Sequence, residues 1–304
     1  MSMPTLLDIA KRNAGDGVVG LIDETTKATP EVRLGAARTI SGLNYYTHVR
    51  TELPSGDSFR DANEGVAPVK GSTEKRLVET FIYNPRWECD VAVADSSEDG
   101  AAAFIAEEAS AIVEAAMQHL AAQFYYGTGN SEKGFPGLLA AVDTSMEVDA
   151  EGTANKTSVW AVRWGTKDVR WVVGEDGALT MGPATKERIL DADGNPLTAY
   201  VQELLAFLGL QVGSTYSVGR IKNIDASEGS SNALDDDLLA DLVELFPAGK
   251  DPDLLLMTRR AQKQLKQSRT ATNPTGKPAP WPESIDGVAG PIPIQITDAI
   301  SNDE

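Results

Sequence analysis

Residues 96–129 read SSEDGAAAFIAEEASAIVEAAMQHLAAQFYYGTG and predict one unusually long helix. Apolar side chains recur there at helical spacing, at Ile105, Ala109, Ile112, Ala116, Leu120 and Phe124. No proline interrupts the run, and no glycine lies between Gly100 and Gly127. At 1.5 Å per residue the helix is about 40 Å long, and its many alanines predict close packing against a flat partner.

Both ends of this helix carry recognisable signals. Ser96 and Ser97 are the predicted N-caps, and Glu98 and Asp99 would lie in the first turn, where the helix dipole favours acidic side chains. The Gly-Thr-Gly sequence that begins at Gly127 is predicted to end the helix in a tight turn. It follows a helix instead of a strand, so a dinucleotide-binding loop is not favoured.

Two segments upstream of the helix alternate as strands do. They are 43–53 and 76–83, and the stretch 54–73 between them is polar and contains glycine and proline. Two strands joined by about 20 polar residues predict a long protruding hairpin or loop, which is usually functional. An enzyme lid and an arm that contacts another subunit both fit this pattern.

The remaining segments predict an α+β fold. Residues 1–42 suggest short helices at 5–12 and 18–25 without a core of their own, as in an arm that packs on neighbours. The stretch 196–210 fits either a helix or a strand, and 225–232 is the best linker candidate. Other segments follow without βαβ alternation or internal repeats, namely strands at 157–173, 211–224, 254–257 and 291–297, and helices at 235–246 and 258–267.

Composition excludes several classes of function. The 304 residues carry a net charge of -18, which argues against a surface that binds nucleic acid as a whole. The same charge predicts that an assembly of many copies depends on salt. No signal peptide is visible, and no run of about 18 apolar residues predicts a membrane span. The single cysteine allows no intrachain disulfide and is typical of a reducing compartment.

The sequence predicts no catalytic, cofactor-binding or metal-binding residue. A buried thiol is favoured for Cys89, and packing or interface roles for His48 and His119, because the three share no ligand spacing. The Asp-Ala-Asp-Gly-Asn sequence at 191–195 departs from a calcium loop in the position of its glycine and is interpreted as a hairpin turn. The three aspartates at 235–237 could bind a divalent ion, but an acidic first turn of a helix is favoured.

Basic side chains form one cluster, which comprises Arg259, Arg260, Lys263, Lys266 and Arg269 with no acid among them. The cluster could contact phosphate. A solvated face, or a contact with the acidic part of another subunit, is favoured. The same alternatives, a phosphate contact or else a solvated or intersubunit face, apply to three basic residues in or beside the long loop, namely Lys70, Lys75 and Arg76.

Several segments resemble the major capsid proteins of tailed bacteriophages, whose fold was first described for phage Hong Kong ninety-seven. EKRLVETFIYNPRWECDVAVADSSEDG at 74–100 resembles the return strand of an extended loop that leads into a spine helix. FYYGTGNSEKGFPGLLAAV at 124–142 resembles the turn after that helix. In their sequence, these segments resemble in particular the subfamily typified by the capsid protein of the podovirus epsilon fifteen. Later segments resemble peripheral-domain strands, at 158–165 and 209–224, and the axial domain with its closing strand, at 236–265 and 290–300.

The resemblance implies roles for segments of the chain. They are an N-terminal arm at 1–42, an extended loop with its return strand at 43–90, the spine helix with peripheral-domain strands at 91–227, and the axial domain with the closing strand at 228–304. Some family members join their subunits covalently through a lysine and an asparagine. Nothing marks Lys70, Lys75 or Asn273 for this role, and it is not predicted.

The resemblance also implies a structural protein, not an enzyme, that self-assembles into pentamers and hexamers of an icosahedral shell enclosing double-stranded DNA. The implied partners are further copies of the chain, a scaffolding protein, a portal and, in some relatives, a decoration protein. No membrane, cofactor or sequence-specific DNA binding is implied. The implied location is the virion capsid, assembled in the host bacterial cytoplasm. Two alternatives remain, namely an encapsulin-like nanocompartment shell and a soluble acidic enzyme with a lid loop.

Overall fold

The computed structural model of the chain describes residues 3–6, 24–56, 59–174, 179–225, 227, 231–274, 276–288 and 290–304. The short helices expected at 5–12 and 18–25 lie mainly outside these residues. The helices that are described are α1 (Pro30–Leu34), α2 (Val91–Asp95), α3 (Ala101–Tyr126), α4 (Leu138–Ala141), α5 (Asp236–Glu244) and α6 (Arg259–Ala271).

The predicted long helix is α3, which has 26 residues and is therefore about 39 Å long. It begins at Ala101, so the prediction of an N-cap at Ser96 or Ser97 is wrong. The reason is the short helix α2. Ser96 ends α2, and its hydroxyl donates a hydrogen bond of 2.7 Å to the carbonyl oxygen of Val93. Gly100, with a φ of 84°, then turns the chain into α3.

The C-terminal end of α3 lies at Gly127, as predicted. This residue has a φ of 53° and a ψ of -124°, a conformation that residues with a side chain rarely adopt. A Cβ atom added to Gly127 would lie 2.1 Å from the backbone nitrogen of Gly137. The backbone of Gly137, just before α4, therefore packs directly against the backbone at the end of α3, with no room for a side chain between them.

One seven-stranded sheet in the described part of the chain is organised around a single long strand. This strand is β11 (Pro196–Val212), of 17 residues, which settles the undecided stretch 196–210 as a strand. β4, β5, β8, β9 and β10 pair with β11, and β1 pairs with β8. The bounds are β1 Ala37–Thr39, β4 Phe81–Tyr83, β5 Arg86–Asp90, β8 Val169–Val173, β9 Thr180–Met181 and β10 Thr185–Leu190.

The second large sheet, of six strands, has the order β14-β15-β13-β7-β12-β6. The predicted boundary between 227 and 228 runs through this sheet, because β6, β7 and β12 precede it and the other strands follow it. Side chains of α5 and α6 pack on one face of the sheet. The bounds are β6 Glu147–Asp149, β7 Lys156–Val162, β12 Val218–Asp225, β13 Leu254–Met257, β14 Ser284–Asp286 and β15 Pro291–Ile296.

The two sheets meet at the C-terminal end of α3. The ring of Phe124 lies 5.5 Å from that of Trp171 in β8, and the ring of Tyr125 lies 6.0 Å from that of Trp160 in β7. Phe124, Tyr125 and Trp160 are completely buried. A buried aromatic side chain removes about 150–250 Å² from water. Two successive residues of one helix thus hold both sheets through a large apolar contact.

The second hairpin strand, predicted at 76–83, is interrupted at Thr80, so that 81–83 form β4 and pair with β11. The rest of the predicted hairpin forms a separate two-stranded antiparallel sheet. Its strands are β2 (Asn44–Glu52) and β3 (Ser72–Glu79), and Tyr46 lies opposite Leu77 in their register. At about 3.4 Å per residue, β2 alone extends over roughly 30 Å. The hairpin and the mixed sheets, with helices that do not alternate with the strands, confirm the α+β class.

Replacing Gly127 with alanine is expected to destabilise the protein, since the new Cβ would overlap Gly137 and the positive φ would become strained. We expect urea denaturation to show a loss of at least about 2 kcal/mol in the free energy of unfolding. Gly129→Ala is the matched control, because its Cβ would meet Tyr126 at 3.9 Å as the nearest neighbour. That change should stay within about 0.5 kcal/mol. Equal losses in both variants would contradict this account.

Candidate assembly surfaces

The hairpin carries apolar side chains that the other described residues leave uncovered. Leu53 is 75% exposed and Phe59 is 101% exposed. We call the group the hairpin surface, and it comprises Tyr46, Leu53, Phe59, Val66, Val69 and Leu77, which are all exposed. Single exposed apolar residues are ordinary, but several on one projecting element mark an interaction site.

In the part of the chain that the structure describes, the hairpin is anchored in the core at its base. Val78 is buried together with Ile40 and Val172. The backbone N–H of Thr80 donates a hydrogen bond of 2.8 Å to the carbonyl oxygen of Leu43. The hairpin is therefore fixed at one end, and its exposed length is available to another molecule.

The end of the predicted arm docks on its own chain instead of projecting from it. The side-chain amide of Gln118 in α3 donates to the carbonyl oxygen of Thr25 at 2.7 Å. The backbone N–H of Ala28 donates to the Asp298 carboxylate at 2.9 Å, and the N–H of Asp298 donates to the carbonyl of Ala28 at 3.0 Å. An arm that reaches a neighbour stays a prediction for earlier residues, most of which lie outside the described part.

Glu31, in α1, is an acidic residue buried in this docking contact. Its side chain is completely buried, and Oε1 accepts a hydrogen bond of 3.2 Å from the hydroxyl of Thr297. Burial raises the pKa of Glu31 to about 7, although hydrogen bonds, including that of Thr297, partly oppose the rise. The Glu31 carboxyl therefore holds a proton over a wider range of pH than an exposed glutamate does.

A network of charged side chains joins the end of α3 to the six-stranded sheet. The Tyr126 hydroxyl donates to the carboxylate of Glu304 at 2.7 Å, and the guanidinium of Arg220 in β12 lies 2.7 Å from the same carboxylate. Glu147 of β6 lies 3.5 Å from Arg220 and 2.8 Å from Lys222. The side chains of Arg220, Glu147 and Glu304 are 11–12% exposed. Water screens these charges poorly, so each depends on its partners.

The single cysteine and the two histidines, the side chains that could support catalysis, lie on different elements. Cys89 is completely buried, as predicted, with Ala94 and Phe104. His119 of α3 stacks on Tyr83, with ring centroids 5.9 Å apart. His48 lies on β2 of the hairpin. Within the described ranges, no group of three or more His, Cys, Asp or Glu residues is placed to hold a metal ion.

The predicted turn at 191–195 connects β10 and β11, which confirms the hairpin interpretation. The Asp191 carboxylate accepts hydrogen bonds from the backbone N–H groups of Asn195 at 2.7 Å and Asp193 at 2.9 Å. These bonds, led by the one from Asn195, hold the pKa of Asp191 below its usual range. The carboxylate is therefore engaged in shaping the turn.

The aspartates at 235–237 start α5, as predicted. Asp235 is the N-cap, and its carboxylate accepts the backbone N–H of Leu238 at 2.9 Å. Asp236 pairs with Arg269 of the basic cluster at 2.6 Å.

The other basic residues singled out in the sequence are mostly exposed. Arg259, Arg260 and Lys263 lie on the exposed side of α6, and Lys70 and Lys75 are exposed in or beside the hairpin. Arg76, on β3, lies 3.8 Å from Glu74. The structure does not bring the two groups of basic residues together on one element.

Sequence reasoning missed the buried charges. Glu31 directly follows Pro30, so it looks like an ordinary exposed acid in the first turn of a helix. Arg220 and Glu304 are 84 positions apart in the sequence, and no local pattern links them. Only a contact between distant segments reveals either group.

The sequence and the fold were compared with known proteins. The profile of the family described as major capsid protein GP7 matches residues 18–304. A chain of the bacteriophage Epsilon15 structure is similar at 22% identity, over 100% of this chain and 97% of that chain, with a TM-score of 0.74. A chain of the holo-SrpI encapsulin complex from Synechococcus elongatus is similar at 13% identity, over 76% of this chain and 99% of that chain, with a TM-score of 0.50. Curated protein sequences gave no match.

The fold, with its projecting hairpin and long helix, is that of the phage capsid subunits, a class of shell-forming proteins. The chain belongs to the major capsid protein GP7 family. Its role is therefore that of a structural capsid protein that assembles with copies of itself in the virion capsid. The resemblance stated from the sequence is confirmed, including the similarity to epsilon fifteen. The encapsulin likeness is weaker, so a nanocompartment is not favoured.

In the part of the chain that the structure describes, no helix combines the length and the apolar composition needed to span a bilayer.

Replacing Glu31 with glutamine should make stability less dependent on pH. Because the pKa of Glu31 is about 7 when folded and 4.5 ordinarily, the folded state binds the proton more tightly. The free energy of unfolding of the unchanged protein should therefore fall as pH rises from 4.5 to 7, and it should stay at the lower value above pH 7. Glu31→Gln should gain on the order of 1–3 kcal/mol at pH 8 and little at pH 5, by urea denaturation. The exposed Glu132→Gln should show no such difference, and an equal gain at both pH values would refute the prediction.

Replacing Arg220 with alanine should strongly destabilise the protein, since it would leave the carboxylates of Glu304 and Glu147 poorly solvated and short of a cation. We expect a loss of about 3 kcal/mol or more in urea denaturation. Arg86→Ala is the matched control, because Arg86 is 41% exposed and, among the described residues, pairs only with the half-buried Glu88 and the exposed Glu187. Its loss should stay below about 1 kcal/mol. A small loss for Arg220→Ala would show that water reaches the network.

Proposed function

We propose that this capsid protein forms the pentamers and hexamers of an icosahedral shell that encloses double-stranded DNA. The observation that carries the proposal is the hairpin surface, which is anchored at its base and exposed along its length. Covering one leucine or phenylalanine side chain contributes about 1.5–3 kcal/mol. A few such side chains on each of many subunits supply enough free energy to hold a closed shell.

The proposal assigns a role to each part of the subunit. Residues 1–42 end in a segment docked on their own chain, and the earlier residues act as the arm. Residues 43–90 form the extended loop across a neighbouring subunit, and α3 is the spine. The seven-stranded sheet serves as the peripheral domain. The six-stranded sheet with α5 and α6 serves as the axial domain near the capsomer axes, so this domain includes residues on both sides of 227.

The acidic character of the chain fits a shell that holds DNA without binding its sequence. A net charge of -18 disfavours tight contact with phosphates, so the genome can move during packaging. A separate scaffolding protein and a portal are the proposed partners, with a decoration protein as a further candidate. In this proposal the subunit has no enzyme activity, and the shell assembles in the cytoplasm of the host bacterium.

Sedimentation velocity across salt concentrations tests the proposal. Pentamers, hexamers or particles of hundreds of subunits are expected, in the presence of scaffolding protein if the chain alone does not assemble. A compact monomer under all these conditions would contradict it. Tight binding of duplex DNA by the isolated subunit at physiological salt would contradict the proposal that the shell encloses the genome without binding it tightly.

Placing charges on the hairpin surface should block assembly without unfolding the subunit. The double variant Leu53→Glu/Phe59→Glu should keep the unfolding free energy within about 0.5 kcal/mol per site, because both side chains are exposed. Its critical concentration for assembly should rise at least about tenfold, since a buried charge would replace an apolar contact. The control Leu190→Glu/Val288→Glu changes two large apolar residues outside the hairpin that are also well exposed, at 64% and 83%. If both variants assemble alike, the hairpin surface is not an interface.

A further inference from the structure

The first turn of α6 carries two cations where a helix disfavours them. Thr258 caps the helix, with its hydroxyl oxygen accepting the N–H of Ala261 at 3.2 Å, and Arg259 and Arg260 follow directly. The N-terminal end of a helix is partly positive, so it favours acidic side chains and disfavours arginine. When a sequence breaks such a local rule, a function elsewhere commonly explains the choice.

These arginines border a groove beside the Pro-rich segment. The groove has a volume of about 220 Å³ and is lined in part by Arg259, Arg260, Lys263 and Trp281. Trp281 is 48% exposed, and the amino group of Lys266 lies 4.4 Å from its ring centre. The basic groove, as we call this site, therefore has an aromatic wall and a cationic rim.

The charge of the basic groove is opposite to that of the rest of the chain. Residues 254–282 contain six basic side chains and no acidic one, so the remaining residues carry 24 more acidic than basic side chains to give the net charge of -18. Asp236 neutralises Arg269 within the chain. With the residues that the structure describes, neither Arg259 nor Arg260 forms an ion pair.

We propose that the basic groove binds an acidic segment of a neighbouring copy of the chain in the assembled shell. The inference rests on the proposed function, which brings copies of the chain side by side. Arginine binds carboxylates through two parallel hydrogen bonds. Contacts of this kind would offset the repulsion between subunits that are acidic elsewhere, and they would favour one relative orientation.

The surroundings of the basic groove favour carboxylates of a folded neighbour over DNA. Among the described residues, Arg259, Arg260 and Lys263 are the cations that line the groove. Three cations suffice for one or two carboxylates, whereas duplex DNA presents a continuous line of phosphates. The volume fits one or two side chains, and Lys266 already occupies one face of Trp281, which could otherwise stack a base.

The double variant Arg259→Glu/Arg260→Glu separates assembly from folding. Acidic residues in the first turn suit the helix dipole, so α6 and the unfolding midpoint should be retained. We expect the critical concentration for assembly to rise at least about tenfold, because acidic side chains would then face the carboxylates of the neighbouring copy. The control Lys167→Glu/Arg188→Glu makes the same change in net charge at exposed positions outside the groove, and it should assemble like the unchanged protein.

Zero-length carbodiimide crosslinking of assembled particles identifies the occupant. Particles are made from equal amounts of unlabelled and nitrogen-15-labelled chains, so that peptides joined between two copies show mixed labelling by mass spectrometry. We expect Lys263 or Lys266 to be joined to an aspartate or glutamate of a second copy.

Three results would overturn the inference. They are equal assembly of both double variants, particles without intermolecular crosslinks to these lysines, and a loss of duplex DNA binding in Arg259→Glu/Arg260→Glu with assembly unchanged, which would assign the groove to DNA. If the unchanged chain also stays monomeric with scaffolding protein present, the proposed function itself fails.

Discussion

The contact between the end of the long helix and two tryptophans holds the subunit together. Phe124 packs on Trp171 and Tyr125 on Trp160, and these tryptophans belong to different sheets. Because successive helical residues point about 100° apart, one turn of α3 can fix the angle between the sheets. A change at this junction would move every surface that the subunit offers to its neighbours.

Hydrogen bonds and ion pairs at the C-terminal end of α3 restrict the geometry of this apolar contact. Tyr126 bonds to Glu304, which pairs with Arg220 of the six-stranded sheet. Glu31 lies beside the closing strand and ties the N-terminal segment to Thr297. These polar groups are shielded from water, so their interactions depend on one arrangement of the partners. The subunit body is thus held in a single geometry, as a repeating shell component needs.

The surfaces proposed for contact with other molecules lie away from this junction. The hairpin surface is apolar and projects from the body, whereas the basic groove is charged and lies on α6. Apolar contacts supply affinity, and charge pairs fix orientation. A weak contact repeated many times, with its direction set by charge, lets an assembling shell correct misplaced subunits.

The spacing between near neighbours in the sequence was enough to predict the long helix with its end at Gly127, the presence of the hairpin and the α+β class. It did not predict that the second hairpin strand breaks at Thr80 and continues in another sheet. The tertiary structure decided that Ser96 ends α2 instead of starting α3, and that 196–210 is the strand on which a whole sheet is built. It also decided that Glu31 and Arg220 are shielded from water. Strand pairing and the burial of a charge depend on residues far apart in the chain, so no local pattern predicts them.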